Sequence, residues 1–168
     1  METTGLTPIE IRKIFYYFDG KLFWLQTINN RAKEDTAAGW VDSRGYIQVR
    51  YNNKYYRLAR LIWMYHFGEI QDDMVVDHKD GNKLNNNIDN LRLATYSQST
   101  CNTVSKENST GFRGVRKCYN KFSAYIRDPA TKKRLYLGSY NSAEEASEAY
   151  QAAAESLHGD FSLKESRV

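Results

Sequence analysis

Apolar and polar residues alternate at strand period in the first third of the chain. The alternation runs through residues 21–25, 45–51 and 54–57, and each run predicts a short strand with one buried face. Asn52 and Asn53 lie between the last two runs. Because asparagine tolerates the backbone angles of tight turns, this pair indicates a β-hairpin.

Two helices are predicted in the same region. Thr7 followed by Pro8 is typical of a helix start, and a short helix is expected over residues 9–17. Residues 58–67 carry apolar side chains at helical spacing, and the pattern ends at Gly68. The core of this N-terminal lobe is expected to hold the three tryptophans of the chain, Trp24, Trp40 and Trp63.

The middle of the chain changes character. A short β run over residues 74–76 leads into Asp77 and His78, and a loop rich in glycine and asparagine follows. A second β run begins at Leu91, and Thr95 is a suitable N-cap for a helix after it. The pattern therefore predicts a strand–loop–strand–helix unit with Asp77 and His78 where the first strand meets the loop.

The C-terminal third has a self-contained pattern. Residues 104–110 are polar and indicate a linker. Strand patterns follow at residues 112–117, 122–127 and 134–140, and a helix is predicted over residues 142–157. The apolar residues of this helix recur at helical spacing and are expected to pack on the sheet; they are Ala146, Ala149, Tyr150 and Ala153.

The ends of this last helix are marked by local signals. Ser142 with Glu145 three residues later is a capping box, and Gly159 is a typical helix stop. The patterns together predict an α+β protein: small N-terminal strands leading into the central unit, then a three-stranded antiparallel sheet packed on one α-helix. The expected domains are residues 1–103 and 111–168, with the linker over 104–110.

Composition hints at a nucleic-acid partner. The 168 residues carry a net charge of +4 and the pI is about 9.0, a basic excess that favours a polyanion. The chain has 13 tyrosines, and tyrosine is interleaved with Arg or Lys in stretches such as 55–57 and 134–136, a combination that suits phosphate binding. Tyrosine is also a good strand residue, so composition alone leaves both readings open.

Several classes of protein are disfavoured. No apolar run approaches the ~20 residues of a membrane span, and the polar, acidic start is not typical of a secretory signal. The two cysteines, Cys101 and Cys118, form no CxxC pair, so neither a disulfide framework nor a cysteine-rich zinc site is expected. A soluble intracellular protein is the expectation.

Asp77 and His78 could serve phosphodiester hydrolysis. The reaction needs water to lose a proton near neutral pH, which suits histidine, and a divalent cation to take up negative charge. A carboxylate with amide or hydroxyl oxygens is a ligand set for Mg²⁺ or Mn²⁺. The alternative is that an Asp-His pair in a turn is a surface feature and that the asparagines merely fit the turn.

Residues 76–92 strongly resemble the HNH endonucleases of the ββα-metal fold, in the asparagine-rich variety common in phage homing enzymes. Residues 58–63 and 68–70 also look like the lead-in to that motif. The resemblance implies a metal-dependent DNA endonuclease in which His78 is the general base and Asp77 a metal ligand. By the same resemblance, Asn90 holds the loop so that His78 is aimed correctly.

One position departs from the family pattern. The last active-site residue of the family, a His or Asn on the helix, aligns with Ser99, whose hydroxyl is a weaker and shorter ligand than an amide oxygen. Three explanations are open: Ser99 binds the metal together with an added water, Asn102 one turn later substitutes, or the site is weakened.

The C-terminal segment, residues 111–161, resembles the ethylene-responsive-factor (Apetala-type) DNA-binding domain of plants. The matching residues fall in 111–116, 122–127, 133–138, 143–146 with 149–150, and 158–161. Cations crowd the strands, whereas acids gather on the helix, which favours a sheet face laid on DNA; the alternative is a solvated charged face. The expected DNA-contacting residues are Arg113, Arg116, Lys117, Lys121, Arg127, Lys133, Arg134 and Tyr136.

Two functions follow as hypotheses. The first is a homing-type endonuclease that nicks or cuts DNA with Mg²⁺ or Mn²⁺ and binds its duplex through the C-terminal domain. The second is a DNA-binding regulator with a weakened or inactive site, which the serine at position 99 favours. For either, the expected partner is double-stranded DNA, with no membrane and no small-molecule substrate. A monomer in the cytoplasm of a phage-infected bacterium is expected.

Overall fold

The computed structural model describes residues 5–101 and 109–162, and the chain divides into two compact units, residues 1–95 and 96–168. Both contain small antiparallel sheets with few helices, so the predicted α+β class is confirmed. Helix α3 groups with the second unit. Most of the linker predicted over residues 104–110 lies outside the described residues. In the described part of the chain, no helix has the length and apolar character needed to cross a membrane.

The first helix, α1 (Pro8–Ile14), begins as predicted. Its N-cap Thr7 and Glu10 form a reciprocal capping box, in which the Thr7 N–H donates to the Glu10 carboxylate at 2.8 Å. The predicted C-terminal end at residue 17 is wrong. The aromatic segment β1 (Phe15–Phe18) leaves the helix to pair antiparallel with β2 (Lys21–Trp24), and this pairing overrides the local helical pattern.

A three-stranded antiparallel sheet follows, with β4 in the centre. Its strands are β3 (Trp40–Val41), β4 (Ile47–Tyr51) and β5 (Lys54–Arg57). The predicted hairpin between β4 and β5 is confirmed. Asn52 and Asn53 have φ of 47° and 60°, the two positive angles that a type I′ turn requires.

Helix α2 (Leu58–Phe67) closes the core of the first unit and ends at Gly68, as predicted. Its buried face packs with α1 and β2 around Ile11, Phe15 and Leu22. Trp24 is buried and Trp63 packs partly buried against this core, but the expectation for Trp40 is wrong because its side chain is 48% exposed. The reason is that Trp40 lies on a two-residue edge strand, on the face opposite to the buried Val49.

A two-stranded hairpin completes the first unit. Strand β6 (Met74–His78) pairs antiparallel with β7 (Leu91–Thr95), and a single 3₁₀ turn at Ile88–Asn90 precedes β7. Helix α3 (Tyr96–Cys101) follows directly. The strand–loop–strand–helix order agrees with the pattern, and β6 extends two residues further than the predicted β run to include Asp77 and His78.

The second unit is the predicted three-stranded sheet packed on a helix. The sheet has the order β10-β9-β8, built from β8 (Val115–Cys118), β9 (Lys121–Arg127) and β10 (Arg134–Tyr140). Strand β8 starts three residues later than predicted because Gly114 has a φ of +72°, which no strand residue adopts.

Helix α4 (Ala143–His158) covers one face of this sheet. The Glu145 N–H donates to the hydroxyl of Ser142 at 3.1 Å, whereas the Glu145 carboxylate accepts from the Asn141 N–H instead of closing the expected reciprocal box. Ala146 and Tyr150 are buried as expected, and Ala149 and Ala153 are partly buried.

Gly114 offers a test of the packing between sheet and helix. A Cβ there would overlap the ring of Tyr150 and lie 2.6 Å from the carbonyl oxygen of Tyr125, whereas Gly111, with a nearly equal φ of +71°, has no heavy atom within 4 Å of a built Cβ. We expect the free energy of unfolding to fall by about 1–2 kcal/mol in both alanine variants, because alanine is strained at a positive φ. In Gly114→Ala the free energy of unfolding should fall by about 1–3 kcal/mol more, because the added methyl group overlaps Tyr150.

Hydrogen exchange measured by mass spectrometry over β8–β10 and α4 would check this expectation. Tryptophan fluorescence would serve as the internal control, because all three tryptophans belong to the first unit. Equal loss of protection in the two variants would contradict the steric account and leave backbone conformation as the sole reason for Gly114.

Candidate functional site

The end of β6 places Asp77 and His78 where the sequence predicted them, at the entrance of the loop over residues 79–90. Both side chains are buried, with 7% and 5% of their surface exposed. The strand register sets Asp77 opposite Arg92 and His78 opposite Leu91. Successive strand residues alternate between faces, so the two side chains can serve one site only because β6 ends at His78 and the chain bends there into the loop.

Asn90 joins the two sides of the loop. Its amide nitrogen donates to the Asp80 carboxylate at 2.9 Å and to the Asn85 carbonyl at 2.8 Å, and its amide oxygen accepts from the Asp80 N–H at 3.2 Å. The Lys79 N–H also donates to the Asn90 carbonyl at 2.8 Å. These are the hydrogen bonds that a loop-holding role requires; the contribution of Asn90 to catalysis stays a prediction.

Asp80 accepts the other hydrogen bonds that hold the loop. Its carboxylate accepts from the Asn85 side chain at 2.7 Å and from the Asn82 N–H at 2.8 Å, while the Gly81 N–H donates to the His78 carbonyl at 2.9 Å. Burial raises the pKa of Asp80, but the hydrogen bonds from Asn85, Asn90 and Asn82 outweigh it, and the pKa lies below its ordinary value. This stabilisation is present above the ordinary pKa and is lost as pH falls through the lowered one.

His78 is oriented by Asn86, a residue that sequence reasoning missed. Nε2 of His78 lies 3.1 Å from the amide oxygen of Asn86, which is itself only 3% exposed. The Asn86 amide nitrogen donates to the Leu84 carbonyl at 3.2 Å, so the amide oxygen must be the atom that faces the ring. Since that oxygen can only accept, Nε2 carries the proton and Nδ1 of the neutral ring holds the lone pair.

Asp77 forms an ion pair with Arg92. Both Nε and Nη2 of the guanidinium lie 2.9 Å from Oδ2 of Asp77. Two charges that are both mostly withdrawn from water need such a partner, and the pair fixes the direction of the carboxylate. The pairing of β6 with β7 creates this contact across 15 residues of sequence.

The side chains around Asp77 constrain any metal site. Among the described residues, no group of three or more His, Cys, Asp and Glu side chains is placed to hold a metal ion. One carboxylate with amide, water and phosphate oxygens still suits Mg²⁺, which keeps several waters and commonly shares its ligands with a substrate phosphate. The donor chemistry therefore fits Mg²⁺ or Mn²⁺, with Oδ2 of Asp77 already engaged by Arg92. Ser99 lies partly buried on α3, and Asn102 is outside the described residues.

Two cations lie against the ring of Tyr46, an aromatic neighbour of His78. The Tyr46 ring lies 6.3 Å from the His78 ring, between centroids, and it carries the Arg57 guanidinium at 4.3 Å and the Lys83 ammonium at 4.5 Å. Lys83 also donates to the Arg44 carbonyl at 3.1 Å. Arg57 is also paired with the Asp42 carboxylate, so the excess positive charge of this cationic rim, which suits a phosphate, is that of Lys83. Sequence spacing held no signal for the rim because it joins residues from three separate segments.

The predicted DNA-contacting residues in the sheet of the second unit lie on two different faces. Arg127 pairs with Arg134 and Tyr125 with Tyr136, so these side chains share the face away from α4. The strand alternation adds two more cations to this outer face, Arg116 and Lys121. Lys117 is different: it pairs with Phe122, whose side chain packs against the core.

Two predicted residues lie outside the strands. Lys133 is exposed just before β10, and Arg113 is partly buried before β8. On the outer face, the Arg134 guanidinium lies 4.3 Å from the Tyr125 ring centre, and the Tyr125 and Tyr136 rings are 5.3 Å apart. Four glutamates of α4 are exposed on the other side of the unit: Glu144, Glu145, Glu148 and Glu155. The predicted segregation of charge is therefore present.

Comparison with known proteins finds relatives of the hairpin segment and of the C-terminal segment. Residues 56–100 match the family model of HNH endonucleases. An uncharacterized HNH endonuclease of Acanthamoeba polyphaga mimivirus is 36% identical over 94 residues, which are 56% of this chain and 48% of that protein. Ethylene-responsive transcription factor 3 of Nicotiana tabacum is 55% identical over 49 residues, 29% of this chain and 22% of the factor. The chain spans less than half the length of these curated relatives.

Among solved structures, the HNH homing endonuclease I-HmuI aligns with a TM-score of 0.39 and 22% identity, covering 77% of this chain and 72% of that one. The resemblance expected from the two motifs is thus confirmed: residues 56–100 carry the signature of the HNH endonucleases, and the C-terminal region is similar to ethylene-responsive transcription factors.

Proposed function

We propose that this protein is a metal-dependent DNA endonuclease of the HNH type. The observation that carries the proposal is the hydrogen bond from His78 to Asn86, which presents a histidine with a defined tautomer at the end of the hairpin. It occurs within the segment that matches the HNH family, beside a cationic rim suited to phosphate.

The proton transfer would use Nδ1 of His78. With Nε2–H donated to Asn86, the lone pair of Nδ1 accepts a proton from water as the water oxygen attacks the phosphorus. The bond from phosphorus to the leaving 3′ oxygen breaks, and that oxygen later takes a proton from solvent. Asn90 acts as a positioning residue, because the loop that it holds also carries Asn86.

A divalent cation would supply charge neutralisation at the phosphate and at the leaving oxygen. Asp77 and Ser99 are the proposed protein ligands, with water and phosphate oxygens completing the shell of Mg²⁺ or Mn²⁺. Arg92 holds the Asp77 carboxylate in one direction before the cation arrives. Homing-type activity, with either nicking or double-strand cutting, belongs to the same proposal.

The second unit would bind double-stranded DNA through its outer face. Arginine and lysine neutralise phosphates, and a small sheet can enter the major groove, where arginine recognises guanine edges. Joining this unit to the nuclease unit in one chain raises affinity through effective concentration. A monomer acting in the cytoplasm of a phage-infected bacterium is the accompanying proposal.

A DNA-binding regulator is the second candidate. Two observations favour it: the serine at position 99, where the family has His or Asn, and the engagement of Oδ2 of Asp77 by Arg92. Such a protein would bind DNA through the second unit without cutting it.

Conversion of supercoiled plasmid DNA separates the two candidates. We expect nicking with Mg²⁺ or Mn²⁺ that EDTA abolishes and that His78→Ala lowers by about 10²–10⁴-fold, the usual contribution of a general base. His66→Ala is the matched control, because His66 is an exposed histidine of the same unit that contacts Tyr17. Tight, salt-sensitive binding without cutting would instead favour the regulator.

The tautomer of His78 can be measured directly. In ¹⁵N-resolved NMR spectra we expect the neutral ring to be protonated at Nε2, and Asn86→Ala to weaken this preference. Nicking should fall about tenfold, since a hydrogen bond of this kind contributes about 1–1.5 kcal/mol. Asn29→Ala, an asparagine of the same unit whose side chain accepts from the Arg31 and Ala32 N–H groups, should leave the tautomer unchanged. A ring protonated at Nδ1 in the wild-type protein would contradict the proposed base.

The two faces of the second unit predict different salt dependences. Arg134→Gln on the outer face should weaken DNA binding and reduce the slope of log K against log salt by about one. Lys117→Gln should change the DNA affinity and the salt slope little, because Lys117 pairs with Phe122 on the other face of the sheet. Equal losses in the two variants, measured by fluorescence anisotropy, would exclude the outer face as the specific interface.

A further inference from the structure

A cleft of about 690 Å³ opens in the first unit beside the β4–β5 hairpin. It is lined by the end of β2, by residues from the segment 28–39 and by the hairpin itself. Among the described residues that line it there are four aromatic rings, two arginines and three asparagines, and none is Asp or Glu. We call it the aromatic cleft; the side chains that carry the argument are Asn29, Arg31, Trp40, Arg50, Asn53 and Tyr55.

Two exposed rings form one side of the cleft. Trp40 is 48% exposed and Tyr55 is 58% exposed, and their ring centroids lie 6.1 Å apart in an edge-to-face arrangement. The strand register places both on the outer face of the sheet, opposite the buried Val49. Rings of this size remain half in water at a cost, which a flat aromatic ligand would remove.

Arg50 is held in place by the Tyr55 ring and by the hairpin turn. Its guanidinium lies 5.7 Å from the Tyr55 ring centre and donates to the amide oxygen of Asn53 at 2.9 Å. The sheet pairs Arg50 directly with Tyr55. A cation, a ring and an amide are therefore positioned before any ligand arrives, which lowers the entropy lost on binding.

The chemistry of the lining identifies the class of ligand. Flat rings favour a ligand with a stacked aromatic group. Two arginines, with no carboxylate among the described lining residues, favour an anion. Asparagine side chains match the donor and acceptor edge of a base. A nucleotide combines these three properties. Bases within a duplex are stacked on each other, so only an unpaired nucleotide can lay its base on Trp40 or Tyr55.

We propose that the aromatic cleft binds an unpaired nucleotide of a DNA strand. The base stacks on Trp40, and its edge meets the Tyr55 ring, because the two rings stand at 80° to each other. The flanking phosphates bind Arg31 and Arg50, and the asparagines contact the base edge. The proposal rests on the proposed function only for the choice of DNA as the polymer. A strand opened near the cutting site would be held by this second contact within the nuclease unit.

Photo-crosslinking of the full chain tests the location. A single-stranded oligonucleotide carrying one 5-iododeoxyuridine should crosslink, on irradiation of the iodouracil, to peptides containing Trp40 or Tyr55, as mapped by mass spectrometry. The same residue in a fully paired duplex should crosslink there much less. Crosslinks found only outside the cleft, or equal yields from duplex and single strand, would overturn the assignment. Equal labelling by free 5-iododeoxyuridine monophosphate would assign the cleft to a free nucleotide instead.

Affinity measurements test the stacking. For a labelled tetrathymidylate, Trp40→Leu should raise Kd by roughly 5- to 150-fold, the loss expected for one stacked base, and Trp40→Phe should restore most of it. Phe67→Leu is the matched control, because Phe67 is an exposed aromatic of the same unit that does not line the cleft. Equal weakening by Trp40→Leu and Phe67→Leu would contradict the proposal.

The outcomes separate this proposal from the proposed nuclease. Nicking that depends on His78, without crosslinks in the cleft, would overturn the nucleotide site and leave the nuclease standing. Crosslinks at Trp40 or Tyr55 in a protein that does not nick would support the site and overturn the nuclease.

Discussion

The hydrogen bonds of Asn90 hold the loop on which the candidate site depends. Most of the loop over residues 79–90 lies outside regular secondary structure, so side chains must fix its shape. Asn90 does this from the far end by bonding both Asp80 and the backbone of Asn85. Asn86 is the next residue, and its position determines how the ring of His78 is turned. The orientation of one histidine therefore depends on an amide twelve residues further along the chain.

Charge is arranged differently at the two ends of the candidate site. At Asp77 a carboxylate and a guanidinium are paired in a largely buried position, which fixes their geometry and neutralises both. At Tyr46 two cations lie against a ring, and only one of them, Arg57, is also paired with a carboxylate of a described residue, that of Asp42. The first arrangement is suited to holding a ligand in one direction, and the second to attracting a polyanion.

Local patterns were sufficient for much of the fold. Helix α2, strand β5 and the Asn52-Asn53 turn followed from spacing and turn chemistry, because nothing distant competes with them. The end of α1 could not be predicted, since pairing of Phe15 with Trp24 decides it. The exposure of Trp40 also depends on tertiary context. At the site, Asp77 and His78 stood out by residue type, whereas three consecutive asparagines look alike in sequence, and only the folded loop separates Asn86 from Asn85 and Asn87.

The loop network also bears on the chemical ageing of the protein. Asp80 is followed by Gly81. In a flexible chain such a pair cyclises when the glycine nitrogen attacks the aspartate side-chain carboxyl and water is lost, and hydrolysis of the resulting succinimide ring leaves an isoaspartate in the backbone. Here the carboxylate is held by Asn82, Asn85 and Asn90, and the Gly81 N–H is bonded to the His78 carbonyl. Each of the two reacting groups is thus hydrogen-bonded to another partner as long as the loop is folded. The bonds that hold the loop around His78 therefore also protect the covalent integrity of its backbone.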